Sequence, residues 1–178
     1  MFVNSGYLHD SRAPIKDKSR PLIVTSCGTY RLKTVKRLPT WRPKGRLDYQ
    51  LLYIVSGKGH FYFHGEDRVV YAGRMVLIQP RQEQRYEYFG EDKPEVYWVH
   101  FTGSDVKNIL RSYNIPMDDP IFYSGASSTY SYLFKEMIHE LQNCKTGYED
   151  LLAMYLRQIF LLVQRTRQEE RPTVSTYI

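Results

Sequence analysis

Cysteine is scarce: the chain of 178 residues has two, Cys27 and Cys144, and neither lies in a C-x-x-C or beside a histidine pair. That argues against a disulfide framework and points to a reducing, cytoplasmic setting. Long apolar runs are missing as well. The longest, "IFLLV" at Ile159 to Val163, is far too short to span a bilayer. The N-terminus "MFVNSGYLHDSRAPIKDKSRP" lacks the apolar core of a secretory signal. No membrane partner is expected. No Ser/His/Asp pattern is present, and "SGKG" at 56–59 has neither the spacing nor the following helix of a phosphate loop. Internal repeats and low-complexity tracts are absent too.

Aromatics, by contrast, are plentiful. Sixteen tyrosines and eight phenylalanines lift the aromatic share to 15%, which suits strands and pockets needing an apolar body with a polar tip. Net charge is +6, and the basic excess gathers at Arg31, Lys33, Lys36, Arg37, Arg42, Lys44 and Arg46. Such a run is either a solvated strand and loop or an attractor of anions or DNA phosphates. No basic helix with interleaved recognition residues supports the DNA version.

Periodicity divides the chain. Residues 1–20 are polar, contain Pro14 and show no sustained period, so they read as an arm. Residues 21–34 hold one or two strands, and "LPTWRPKGR" (Leu38 to Arg46) reads as a loop. Strands are then expected over Tyr49 to Ser56, Phe61 to Phe63, Arg68 to Tyr71, Met75 to Gln79, Tyr86 to Phe89 and Val96 to Thr102. "SGKG" is expected to close a hairpin and "HGED" to turn the chain again. Many short strands at this spacing indicate a sandwich or barrel.

After Gly103 the apolar period changes from two to that of a helix. Helices are expected over Ser104 to Tyr113, Ser127 to Asn143 and Tyr148 to Arg167, with serines available to cap the second. In the third, Leu152, Leu156, Ile159 and Val163 step like a heptad, while Tyr155, Phe160 and Leu162 widen the apolar surface. Such a helix must be buried on more than one side. Either both sides pack inside the monomer, or one side covers the barrel and the other meets the same helix of a second subunit; in the latter case Leu152, Leu156, Ile159 and Val163 are the expected dimer interface. The tail 169–178, with Pro172, reads as a linker toward a further domain.

"DYQLLYIVSGKG", "AGRMVLIQP" and "YWVHFTG" resemble, in this order and spacing, the N-terminal ligand-sensing domain of the AraC family of bacterial transcription regulators. The resemblance covers about Leu22 to Gly103, and the helices up to Arg167 also fit. It implies a mainly β fold: an arm over 1–20, a cupin-like jelly-roll barrel over 21–103 and a helical dimerisation segment over 104–168. It also implies a small-molecule effector, a homodimer, and DNA bound only through a C-terminal pair of helix-turn-helix motifs that these residues do not contain.

Metal-bearing cupins carry an H-x-H…E…G pattern and a later histidine. By resemblance those places fall here on residues 43–46, on Gln50 ahead of Gly57, and on Gln84 or Arg85. Amides and guanidinium groups are poor cation ligands, so neither a metal nor another cofactor is expected. His60 and His64 are expected to point outward, while His100 either lines the pocket or sits bonded in the wall. The resemblance sets Arg42 at a sugar-contacting position and Tyr86 and Trp98 at pocket aromatics. A pocket histidine of the family falls on Val96, which argues against arabinose itself. Arg42, Tyr86, Trp98 and His100 are thus the candidate ligand-binding residues, for a sugar or sugar derivative. Tyr7, Leu8 and Ile15 are the arm residues that could close over it. The rival expectation is a metal-free cupin enzyme, such as a sugar epimerase or isomerase, with tyrosine and histidine as acid and base.

Overall fold

Glycine turns and period-two runs do become strands, and the computed structural model, which describes residues 1–169, shows how they join. In chain order these are β1 (Phe2–Tyr7), β2 (Ile23–Arg31), β3 (Arg37–Arg42), β4 (Tyr49–Ser56), β5 (Lys58–Phe63), β6 (Glu66–Tyr71), β7 (Arg74–Ile78), β8 (Gln84–Phe89), β9 (Glu95–Thr102) and β10 (Ile121–Tyr123). The helices are α1 (Val106–Ser112), α2 (Ser128–Asn143) and α3 (Tyr148–Glu169). One sheet has the order β1-β2-β9-β4-β7-β10 and the other β3-β8-β5-β6. The sheets face each other in a jelly-roll-like barrel and bury Leu52, Ile54, Phe61, Val76, Tyr88 and Val96 between them. The outer face of the larger sheet packs through Leu51, Tyr53, Tyr97 and Val99 on Phe134 and Met137 of α2. The fold is mainly β with C-terminal helices, as expected.

The "SGKG" hairpin does not form. Gly57 (φ +72) turns the chain, but β4 already pairs with β9 on one side and β7 on the other, so no edge remains for β5. The turn is a corner between sheets. "HGED" is a true hairpin: Phe63 faces Glu66 across His64 (φ 52) and Gly65 (φ 78). Two left-handed residues match the twist of the flanking strands.

The expected loop at Leu38 to Arg46 begins as strand β3. Pro39 is tolerated there because β3 is an edge whose one partner in the sheet is β8. The arm is also partly strand. β1 pairs with β2 along its whole length, and α2 lies so close over Gly6 that a Cβ there would come 2.6 Å from the Cβ of Leu141. The short β10 had no signal of its own.

Ser127 caps α2, its side chain accepting from the Thr129 N–H at 3.2 Å. α3 is two-sided, as its sequence demanded, but both sides are covered within the chain by α2 and β2. Leu152, Leu156, Ile159 and Val163 are 1%, 0%, 0% and 1% exposed. Packing within the chain thus covers the stripe expected at a dimer interface. The expected linker 169–178 lies, apart from Glu169, outside the described residues. Among the described residues no helix is long and apolar enough to cross a membrane.

Candidate functional site

The barrel interior is apolar toward Leu32, Ile54 and Val96 but polar toward its other end. The polar end is built by cross-strand register. Ser26 of β2 and Gln50 of β4 both sit opposite His100 of β9. Trp98 follows two residues earlier on the same face, its ring centroid 4.8 Å from that of His100. It lies against Gly28, where a Cβ would come 2.5 Å from the indole. Only a glycine leaves room for a flat aromatic there.

The smaller sheet supplies the facing wall. Along β8, Gln84, Tyr86 and Tyr88 alternate inward and are buried. Half-buried Arg42 donates to the Gln84 side-chain oxygen at 2.8 Å. The Gln50 amide donates to the Tyr86 hydroxyl at 3.4 Å, and Tyr86 stacks on Phe61 with centroids 5.0 Å apart. Arg42, Tyr86, Trp98 and His100 are therefore all grouped around one end of the interior. Tyr7 of the arm stands with its ring centroid 6.1 Å from that of Trp98, beneath the Arg12 guanidinium at 5.3 Å. Leu8 turns away into the core beneath the helices, so it is no lid residue.

Electrostatics set the protonation states. Burial, then the positive charges of Arg46 and Arg42, hold the His100 pKa well below its ordinary 6.5. The ring is neutral at neutral pH. Its Nδ1 lies 2.6 Å from the Ser26 hydroxyl, which leaves Nε2 one bond to make. Burial above all, with neighbouring tyrosines, raises Tyr30 and Tyr88 well above the usual phenol value, so both stay neutral. Behind them Arg46 grips Asp48 through two bonds of 2.7 and 3.0 Å, both residues buried. The basic run of the sequence is thus no single surface: Arg46 and Arg42 turn inward, while Arg37 pairs outside with Glu87.

Three buried polar atoms here have no partner among the described residues: Gln50 Oε1, Gln84 Nε2 and His100 Nε2. Each unmade bond costs about 1–3 kcal/mol, so such a cluster calls for a polar guest or water. Sequence reading had weighed Gln50 and Gln84 only as failed metal ligands. The structure chooses Gln84 over Arg85, which lies outside between Trp41 and Tyr62. Among the described residues no group of three or more His, Cys, Asp or Glu side chains gathers. Here the Gln84 amide N–H is a free donor, Gln50 Oε1 a free acceptor and the Arg42 guanidinium a fixed cation, a set suited to hydroxyl groups. His60 is on the outer face, edge-on to Phe89 at 5.1 Å, and His64 is in its turn. The wider cavities, of about 360, 370 and 500 Å³, open on the outer surface. Tyr86, Trp98 and the arm's Tyr7 stand around the polar end, Tyr86 buried and the other two half-buried.

The profile of the family described as AraC-like ligand binding domain matches residues 34–162. An apo structure of a lysine-to-alanine variant of ToxT from Vibrio cholerae superimposes with a TM-score of 0.51 at 14% identity, covering 86% of this chain and 59% of that one. Wild-type ToxT with an unsaturated fatty acid bound gives 0.47 at 14% identity over 85% and 57%. A cupin protein from Bacteroides fragilis gives 0.36 at 16% identity over 51% and 81%. The chain spans 59% of the ToxT variant's length, and at these identities the likeness is one of fold. No curated protein matches the chain.

Proposed function

Because the chain belongs to the AraC-like ligand binding domain family, we propose that it is the effector-sensing part of a cytoplasmic AraC-type transcription regulator, and that its barrel recognises a small polar molecule without transforming it. A sugar or sugar derivative is the favoured effector. The carrying observation is the cluster of three unpartnered polar atoms beside Arg42 and Trp98. Trp98 and Tyr86 offer faces for the C–H side of a sugar ring. Arg42, Gln84 and neutral His100 offer fixed hydrogen-bonding groups for its hydroxyls. Tyr7, Arg42 and Trp98, half-buried around the polar end, would move aside on entry. An effector that binds one arrangement of arm and barrel better than another biases the equilibrium between them. In a homodimer that bias would pass to DNA-binding parts attached after α3.

A thermal-shift screen against sugars and sugar acids tests this, since a ligand of the folded state alone raises its melting temperature. Arg42 suits a carboxylate as well as a hydroxyl, so fatty acids of the kind ToxT holds join the screen. Arg42→Ala and Trp98→Ala should each weaken any binder. Unchanged affinity in both variants would place the site elsewhere. A binder should be recovered chemically unchanged after incubation. An altered sugar would instead favour a metal-free epimerase or isomerase.

A further inference from the structure

Outside the barrel, one cavity of about 370 Å³ gathers basic side chains from three separate segments. Lys16 and Lys18 come from the arm, Arg81 from the turn after β7, and Lys107 from the first turn of α1. Its apolar lining includes Tyr49, stacked on Phe101 with centroids 5.4 Å apart, and Leu47, an aliphatic side chain left 41% exposed. We propose that this cavity is a second binding site, for a small anion with an apolar body such as an aromatic carboxylate.

Three features argue for a built site over a chance crevice. The arm is anchored beside it: the Asp17 N–H donates to the Thr102 hydroxyl at 3.3 Å. Lys16 and Lys18 line this cavity while Asp17 between them lines a different one, so the acid is kept away from the two cations. Arg81 holds a left-handed backbone (φ 62), pinned by its N–H donating to the Arg46 carbonyl at 2.7 Å. A non-glycine residue held so is costly, and such strain clusters at ligand sites. Among the described residues none of the four cations is in an ion pair. The acid on the lining, Asp105, accepts from Asn108 at 2.7 Å. The site therefore offers four cations against the one carboxylate of Asp105, a net positive charge above an apolar floor, which is the chemistry of an amphiphilic anion. An occupant would bridge the arm to α1 and hold the segment that joins β1 to β2.

Naphthoate, titrated by its own fluorescence into the full chain, is a fitting probe, with neutral naphthamide as its comparator. Naphthoate should bind, and naphthamide should bind about tenfold more weakly. Lys18→Glu with Lys107→Glu should weaken naphthoate about tenfold or more. Lys33→Glu with Lys36→Glu changes net charge equally at exposed positions outside the cavity lining, and should leave the probe's affinity intact. No binding, equal affinity for the amide, or equal loss in both charge-reversed variants overturns the proposal. So does undiminished binding to the first variant, which would send the probe elsewhere. A parental melting temperature for each variant shows that the fold is kept.

Discussion

His100 is the residue at which charge and burial meet most sharply. Its folded-state pKa lies well below 6.5, first through burial and then through Arg46 and Arg42. In the unfolded chain the ring takes up a proton near 6.5, whereas in the fold it resists doing so. The unfolded state thus binds more protons in that window, and stability falls as pH drops below about 6.5 toward the folded value. Chemical denaturation followed from pH 7 to pH 5 should show this loss, and His100→Asn should flatten it. An unchanged slope in the variant would mean that other groups carry the effect. Gln84 makes a second point. Its Nε2 is buried without a partner while its oxygen accepts from Arg42, so Gln84→Leu removes an unpaired donor and also one partner of the guanidinium. The two effects oppose each other, so the variant should melt close to the parent yet bind an effector about tenfold more weakly. A lowered melting temperature with affinity intact would make Gln84 a structural residue only. The family resemblance points to Arg42, Tyr86 and Trp98, and strand parity sets His100 on the same face as Trp98. Gln50 and Gln84 could not be picked out, because an amide looks alike at a surface and in a pocket until its neighbours are known.

At the scale of elements, the inward stripe of α3 sets the stability of the helical layer. Leu156 is 0% exposed within one chain and Met154 is 62% exposed. Leu156→Ala should therefore lose about 2–5 kcal/mol, and Met154→Ala about 0.5 kcal/mol at most, by urea unfolding. If the Leu156→Ala loss grew on dilution, the stripe would be an interface after all. Ser127→Ala, which removes the cap bond to the Thr129 N–H, should cost about 1 kcal/mol by the same measurement. Helices and most strands were legible because each is a local pattern: a period, a cap, a glycine turn. Sheet membership was not. "SGKG" carries hairpin chemistry, yet β4 already has β9 and β7 as neighbours, and that choice depends on residues distant in sequence. β3 hid behind Pro39 because only its place at a sheet edge makes the proline acceptable. Gly6 of β1 and Gly28 of β2 answer to partners elsewhere: α2 crosses the first, and Trp98 of the neighbouring β9 lies on the second.

For the whole molecule, the packing decides which surface is left for a second copy. With Leu152, Leu156, Ile159 and Val163 spent inside, the stripe of α3 that remains outward is Met154, Gln158, Leu161 and Arg165. It keeps the heptad-like steps of four, three and four, but only alternate members are apolar. On α2, Tyr132 adds another large side chain 58% exposed. The proposed homodimer then buries Met154 and Leu161 at its centre with polar groups beside them. Such a mixed surface makes an association weaker than an obligate, core-like interface. Analytical ultracentrifugation over a range of concentrations should show a reversible monomer–dimer equilibrium. Met154→Glu with Leu161→Glu should shift it to monomer, because two carboxylates would lie buried against their own copies. The monomer should keep the parent's unfolding free energy, since neither side chain belongs to the internal core. A parent that stays monomeric at high concentration would remove the dimer from the signalling scheme. A variant that still dimerises would move the interface to another face, such as the smaller sheet's side with the exposed Trp41.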